Sequence, residues 1–220
     1  MKIDVEASPE NRMAYQTYIG DARGSIPAVA FVNSEGGLIG QPGPGSPQLF
    51  NATEFVSLMD RVLNLQSQET KLKKNPSNPK ITAELALTYF NLGNFEKGQP
   101  LADKALKLDT ENRTGLLPEI NLNLGLHHLG LYHGSNGGGE NTEENLQKAE
   151  TFFKTVVEKY PQSAAYESAQ LNLGRAYAIQ EKYHTAIATL EKLSEAKDPA
   201  IKARASQFLD HVRNMAKSEK

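Results

Sequence analysis

One pattern recurs three times in this 220-residue chain and restricts its fold more than any other feature. A leucine is followed by a small residue and, three positions on, by a ring: Leu85-Ala86 with Tyr89, Leu124-Gly125 with His128, Leu173-Gly174 with Tyr177. Behind the first instance follow Gly93, Phe95, Gly98, Ala102, Ala105 and Leu106. Behind the third follow Tyr183, Ala186, Leu190 and Leu193. Large and small apolar residues spaced in this way let two antiparallel helices approach closely at the small positions and fill the remaining gaps at the large ones. Each such pair buries only one stripe per helix, which suits an apolar content of 39% and requires that neighbouring pairs stack.

These offsets resemble the tetratricopeptide repeat. The second unit resumes with Ala149, Phe153, Val156, Val157 and Pro161. Twenty-one positions separate His128 from Ala149, where the pattern expects about nine, so the unit carries an insert near 134–145, rich in glycine. Two departures stand out in the first unit: Gly98 occupies a position usually held by alanine, and Thr110 one usually held by proline. A final helix from Pro199 to about Met215 places Ile201, Ala205, Phe208, Leu209 and Val212 on one face, and the charged end through Lys220 suits a cap. The expected fold is therefore mainly α: a helical repeat domain over 80–216 made of three units and a capping helix. The resemblance implies a groove lined by the first helix of each unit, which takes a protein or peptide partner. By pattern position its lining is Leu87, Phe90 and Asn91 in the first unit, Asn123, Leu126 and Leu129 in the second, and Asn172, Arg175 and Ile179 in the third. Some members of the family clamp acidic C-termini with lysines and asparagines. Ala83 and Leu87 stand where two of those residues would be, and only Asn123 matches.

The N-terminal third reads differently. Lys2–Val5 predicts a strand and Ser8–Tyr18 a helix capped by Ser8 with Pro9 in its first turn. Gly24-Ser25-Ile26-Pro27 leads into an apolar strand, Ala28–Val32. A turn at Ser34–Gly37, a short strand Leu38-Ile39, a Gly/Pro-rich loop from Gly40 to Pro47 and a helix from about Thr53 to Leu65 follow. That order, with Ile-Pro before the strand, resembles the C-terminal half of a thioredoxin fold over residues 1–66, with 67–79 as a linker broken by Asn75-Pro76-Ser77-Asn78-Pro79. The resemblance implies that Ile26 and Pro27 occupy the family's peptide-contact position. It implies no redox activity for this chain, because the reactive CxxC segment is missing and the sequence contains no cysteine. The strand that normally lies between the counterparts of Lys2–Val5 and Ala28–Val32 is missing too. The gap predicts self-association through the N-terminal segment, since unpaired strand edges recruit other chains.

A net charge of -2 and a pI near 6.2 give no electrostatic case for nucleic acid. No apolar run is long enough to span a bilayer, so no membrane insertion is expected. Met1–Glu6 shows no secretory signal, which favours the cytoplasm; a truncated start would leave the periplasm open. His127, His128 and His133 form the one histidine cluster, but their spacing does not suit a shared metal, and His128 stands at an aromatic position of the repeat. Asn136, Glu140, Asn141, Glu143 and Glu144 in the insert lack the spacing of an EF-hand. No catalytic motif appears, and neither a cofactor nor a metal is expected. The reading that follows is a non-catalytic protein–protein interaction adaptor. The alternative is the C-terminal part of a thioredoxin-like redox protein or co-chaperone whose CxxC segment is absent from this chain.

Overall fold

The computed structural model describes residues 29–33, 35–42, 51–132 and 143–218, with positions 9, 13 and 17. Pro9, Met13 and Thr17 are helical. The expected strand Lys2–Val5, the rest of the helix Ser8–Tyr18, and Ile26-Pro27 lie outside the described residues. The chain divides into two compact units, Met1–Thr110 and Glu111–Lys220.

In the first unit an antiparallel hairpin joins β1 (Phe31–Val32) to β2 (Leu38–Gly40). Asn33 closes its turn: the side-chain Oδ1 accepts from the amides of Glu35 at 3.0 Å and Gly37 at 2.7 Å, while Gly36 takes a φ of 80° that a glycine adopts without strain. β1 is shorter than the expected Ala28–Val32; Val29 and Ala30 are described but lie outside the ladder. Helix α1 (Ala52–Lys74) starts at Asn51, whose side chain accepts from the amides of Thr53 and Glu54, and its last turn carries Lys71, Lys73 and Lys74 against the negative end of the helix dipole. Helices α2 (Pro79–Asn91) and α3 (Phe95–Leu108) form the first repeat; Asn78 caps α2 ahead of Pro79.

The linker expected over 67–79 is a correction. From Gln66 to Lys74 no residue breaks a helix, and α1 runs through unbroken. Leu65 packs with Leu85 and Tyr89, with Leu72, Ile81 and Leu101 alongside, and the Tyr89 hydroxyl donates to Glu69. The hairpin is equally built in. Phe31, Leu58 and Leu92 form one buried cluster. Asn94 Nδ2 donates to the Ile39 carbonyl at 2.8 Å, and a Cβ on Gly93 would lie 2.3 Å from the Gln41 carbonyl oxygen. The first repeat therefore shares one core with the N-terminal elements, and no boundary falls at 66–80.

The second unit contains α4 (Leu117–Tyr132), α5 (Glu143–Lys159), α6 (Tyr166–Ile179), α7 (Tyr183–Glu191), a 3₁₀ turn (Lys192–Glu195) and α8 (Pro199–Ser218). The recurrent small residue now has a visible cause. A Cβ on Gly125 would stand 2.5 Å from the Phe153 ring, and one on Gly174 would stand 2.6 Å from Leu190, so glycine permits the close approach of α4 to α5 and of α6 to α7. The core that results includes Phe153, Ala149 and Val156 of α5, Ala176 of α6, Ala186 of α7 and Val212 of α8, all at 0% exposure. Glu150 on α5 holds the α6–α7 turn, accepting from Gln180 Nε2 at 2.9 Å and pairing with Lys182 at 3.7 Å. The capping helix reaches Ser218, a little beyond the expected Met215. The fold is the mainly α helical repeat array that the spacing implied.

Candidate protein-binding face

In the second unit the first helices of the two pairs, α4 and α6, pack on each other, and α6 packs on α8. Position by position, the outward side of α4 presents Asn123 and Leu126. Asn123 Nδ2 donates to the Glu119 carbonyl at 2.9 Å, and Leu126 is 41% exposed. On α6, Asn172 is buried. Its Nδ2 donates to the Ser168 carbonyl at 2.8 Å, and its Oδ1 accepts from Arg175 Nη1 at 3.0 Å. Arg175 itself is exposed at the surface. Desolvation, and then the charge of Arg204 on α8, lower its pKa below the usual arginine value. Ile179 is half-buried against the core.

Two of the expected lining residues are corrections. Leu129 is 3% exposed and belongs to the core of the second unit. Phe90 is 4% exposed. Its ring stacks on Phe95 at 4.8 Å and fills the space beside Gly98, where a Cβ would come within 2.6 Å of Phe90 Cδ1. The glycine that departs from the repeat pattern thus makes room for this phenylalanine; the two exceptions are one packing solution. Leu87 and Asn91, on the same helix of the first unit, are half-buried.

The histidines pack. His128 lies parallel to Phe152 (5.8 Å, 7°), and its Nδ1 is 3.0 Å from Asn145 Oδ1. His127 meets His128 edge-on at 5.6 Å. Burial, and secondarily the charge of His128, lower the His127 pKa to about 4. Among the described residues no group of three or more His, Asp or Glu is arranged to hold a metal, and no helix is long and apolar enough to cross a membrane. His133 and most of the insert lie outside the described residues.

Sequence reasoning missed Arg204. It stands next to Ala205 on the capping helix α8, which packs on α6, the helix that carries Arg175.

The sequence profile of the tetratricopeptide repeat matches residues 82–112, which span α2 and α3, and residues 167–198, which span α6, α7 and the 3₁₀ turn. The α4–α5 pair, interrupted by the insert, lies between the two matches. A search of curated proteins returned no match. Tetratricopeptide repeats are generally protein–protein interaction modules.

Proposed function

We propose that this chain is a non-catalytic adaptor that binds a protein or peptide partner on the face formed by α4 and α6. The observation that supports this most directly is Leu126, a leucine 41% exposed beside Asn123 and one helix away from the oriented Arg175. An apolar anchor next to hydrogen-bonding groups of fixed direction is how an interface combines affinity with register. Leu87 and Asn91 form the corresponding positions of the first unit. A benzophenone amino acid at position 126 should crosslink the partner in cells, and the same probe at Thr151, exposed on α5, should not. Equal labelling from both positions would remove α4 and α6 as the binding face.

Self-association through the N-terminal segment is a second proposal. Val56 and Leu63, seven residues apart on α1, are 59% and 74% exposed, and Leu38 on the hairpin is 49% exposed. Light scattering should give a dimer that Leu63→Glu converts to a monomer; a wild-type chain monomeric at high micromolar concentration refutes it.

The thioredoxin-related alternative draws its support from element order: a β-hairpin is followed by a helix whose Leu58 packs on Phe31. A genomic reading frame that continues upstream through a CxxC would favour it, and a stop codon immediately upstream would remove it.

A further inference from the structure

Helix α1 has two apolar sides, and the fold uses one of them. Phe55, Leu58 and Val62 pack with Phe31 and Leu92, and Leu65 packs with Leu85 and Tyr89. Glu69, one turn on, takes the Tyr89 hydroxyl. The residue after each of these five falls about 100° further round the helix. Those residues are Val56, Met59, Leu63, Gln66 and Thr70. All are exposed, Val56 to 59%, Met59 to 36% and Leu63 to 74%. None carries a charge, and they recur at alternating intervals of three and four, the spacing of a seam between two helices. The seam runs about 21 Å along the axis. The next position in line is Lys73, which ends it.

Among the described residues α3 and α4 each expose one large apolar side chain, Leu108 and Leu126, whereas α1 exposes three in one line. A seam of knobs and holes is completed by a second helix of like spacing. Among the described helices α1 itself offers that spacing without charge, and a two-fold axis brings two copies of one surface together. Charge then sets the direction. Parallel helices would place Lys73 against Lys73 of the copy. Antiparallel helices with Met59 on Leu63 of the copy set Val56 against its Gln66, and Lys73 falls beyond Ala52, the first residue of the copy's α1. No seam position then meets a charge.

We propose that two copies of this chain pair through α1, antiparallel, with Met59 of each helix seated on Leu63 of the other. The inference rests on the reading of self-association through the N-terminal segment and assigns that contact to named residues. One feature of the arrangement opposes it: the exposed Asp60 lies on the flank of the seam, near its counterpart across the two-fold axis.

Disulfide trapping in the full-length chain tests the pairing, since the sequence contains no cysteine to give a background. Met59→Cys and Leu63→Cys chains, mixed in equal amounts in a glutathione buffer, should link to one another several-fold more than either links to itself. Only the unlike pair lies within the separation that a disulfide spans. Both positions are exposed, so circular dichroism should stay helical. Asp60→Asn should tighten the dimer about twofold at low salt, the scale of one relieved like-charge contact. Sedimentation of the wild-type chain supplies the control. A dimer in which Leu63→Cys links mainly to itself, or in which neither cysteine links, would overturn the antiparallel pairing and leave self-association standing. A dimer weakened by Asp60→Asn would overturn it as well. A wild-type chain monomeric at high micromolar concentration would overturn both readings, and one that instead floats with phosphatidylcholine vesicles would assign the seam to a lipid surface.

Discussion

The pairing of Phe90 with Gly98 makes a prediction whose sign changes with background. Phe90 is 4% exposed, stacked on Phe95 at 4.8 Å, and lies where a Cβ on Gly98 would come within 2.6 Å of the ring. Truncation by Phe90→Ala removes a buried ring and a stacked partner and should cost about 3–5 kcal/mol. That is a large share of a domain stability on the order of 5–15 kcal/mol. Gly98→Ala in the wild-type background gains about 1 kcal/mol of helix propensity. It also forces a methyl group into the ring, at a cost of roughly 1–3 kcal/mol. The net effect is neutral to destabilising. In the Phe90→Ala background the ring is gone. The same methyl now keeps its propensity gain and adds about 0.8 kcal/mol of burial, so Gly98→Ala becomes stabilising. The double-mutant cycle should therefore show a coupling on the order of 2–3 kcal/mol. Urea unfolding followed by helical circular dichroism measures all four corners, with the slope m checked for constancy. Additivity within about 0.5 kcal/mol, or a Phe90→Ala protein as stable as wild type, would refute the packing argument and return Phe90 to the binding surface.

His127 predicts a pH dependence. Its pKa is lowered to about 4 by burial and by His128, below an unfolded value of about 6.5, so the unfolded chain binds the extra proton. The contribution of the neutral ring to stability is thus fully present above about pH 6.5 and is lost as pH falls toward 4. Urea midpoints measured between pH 7 and 4 should fall less steeply for His127→Gln than for wild type, and parallel curves would contradict the argument. The Tyr89 hydroxyl, whose pKa is raised by burial and then by its hydrogen bond to Glu69, ties α1 to α2. Tyr89→Phe should lower stability by about 1 kcal/mol, and Glu69→Gln should bring the tyrosine pKa, read by ultraviolet titration, back toward its ordinary value. Asn78→Ala removes the side-chain acceptor for the Ile81 amide at 3.0 Å and should cost about 1 kcal/mol in the same unfolding assay.

The helical repeats were legible because their signal is local. Leu, a small residue and a ring at fixed offsets describe one helix face, and the cost of a Cβ at Gly125 or Gly174 is set by the partner helix of the same pair. The division of the chain was not legible, because it depends on contacts that no spacing announces. The Asn94 side chain reaches the Ile39 carbonyl across fifty-five positions, and Glu69 meets Tyr89 across twenty. The break at Asn75–Pro79 looked like a domain linker, yet it is only the turn between two helices that share a core. A proline-rich interruption reports that a helix ends there; it does not report whether the next helix packs back on the last.

The face on α4 and α6 was half legible, and the reason lies in what pattern position encodes. A repeat offset fixes the angle at which a residue leaves its helix; it does not fix the size of the side chain that leaves there. Where the residue is small or polar, as at Asn123, angle and exposure agree. Where it is a phenylalanine, the ring can fold back toward the second helix if that helix makes room. Gly98 provides the room. The same logic explains Leu126. The α4 residue three positions later, Leu129, belongs to the core of the second unit and is buried at 3%, whereas Leu126, about 60° round the helix, stays 41% exposed. Two leucines three residues apart have opposite fates because only one of them meets a second helix. An exposed anchor is thus recognised by what its own pair leaves uncovered. By that criterion Leu126 is the residue on which the proposed binding face rests.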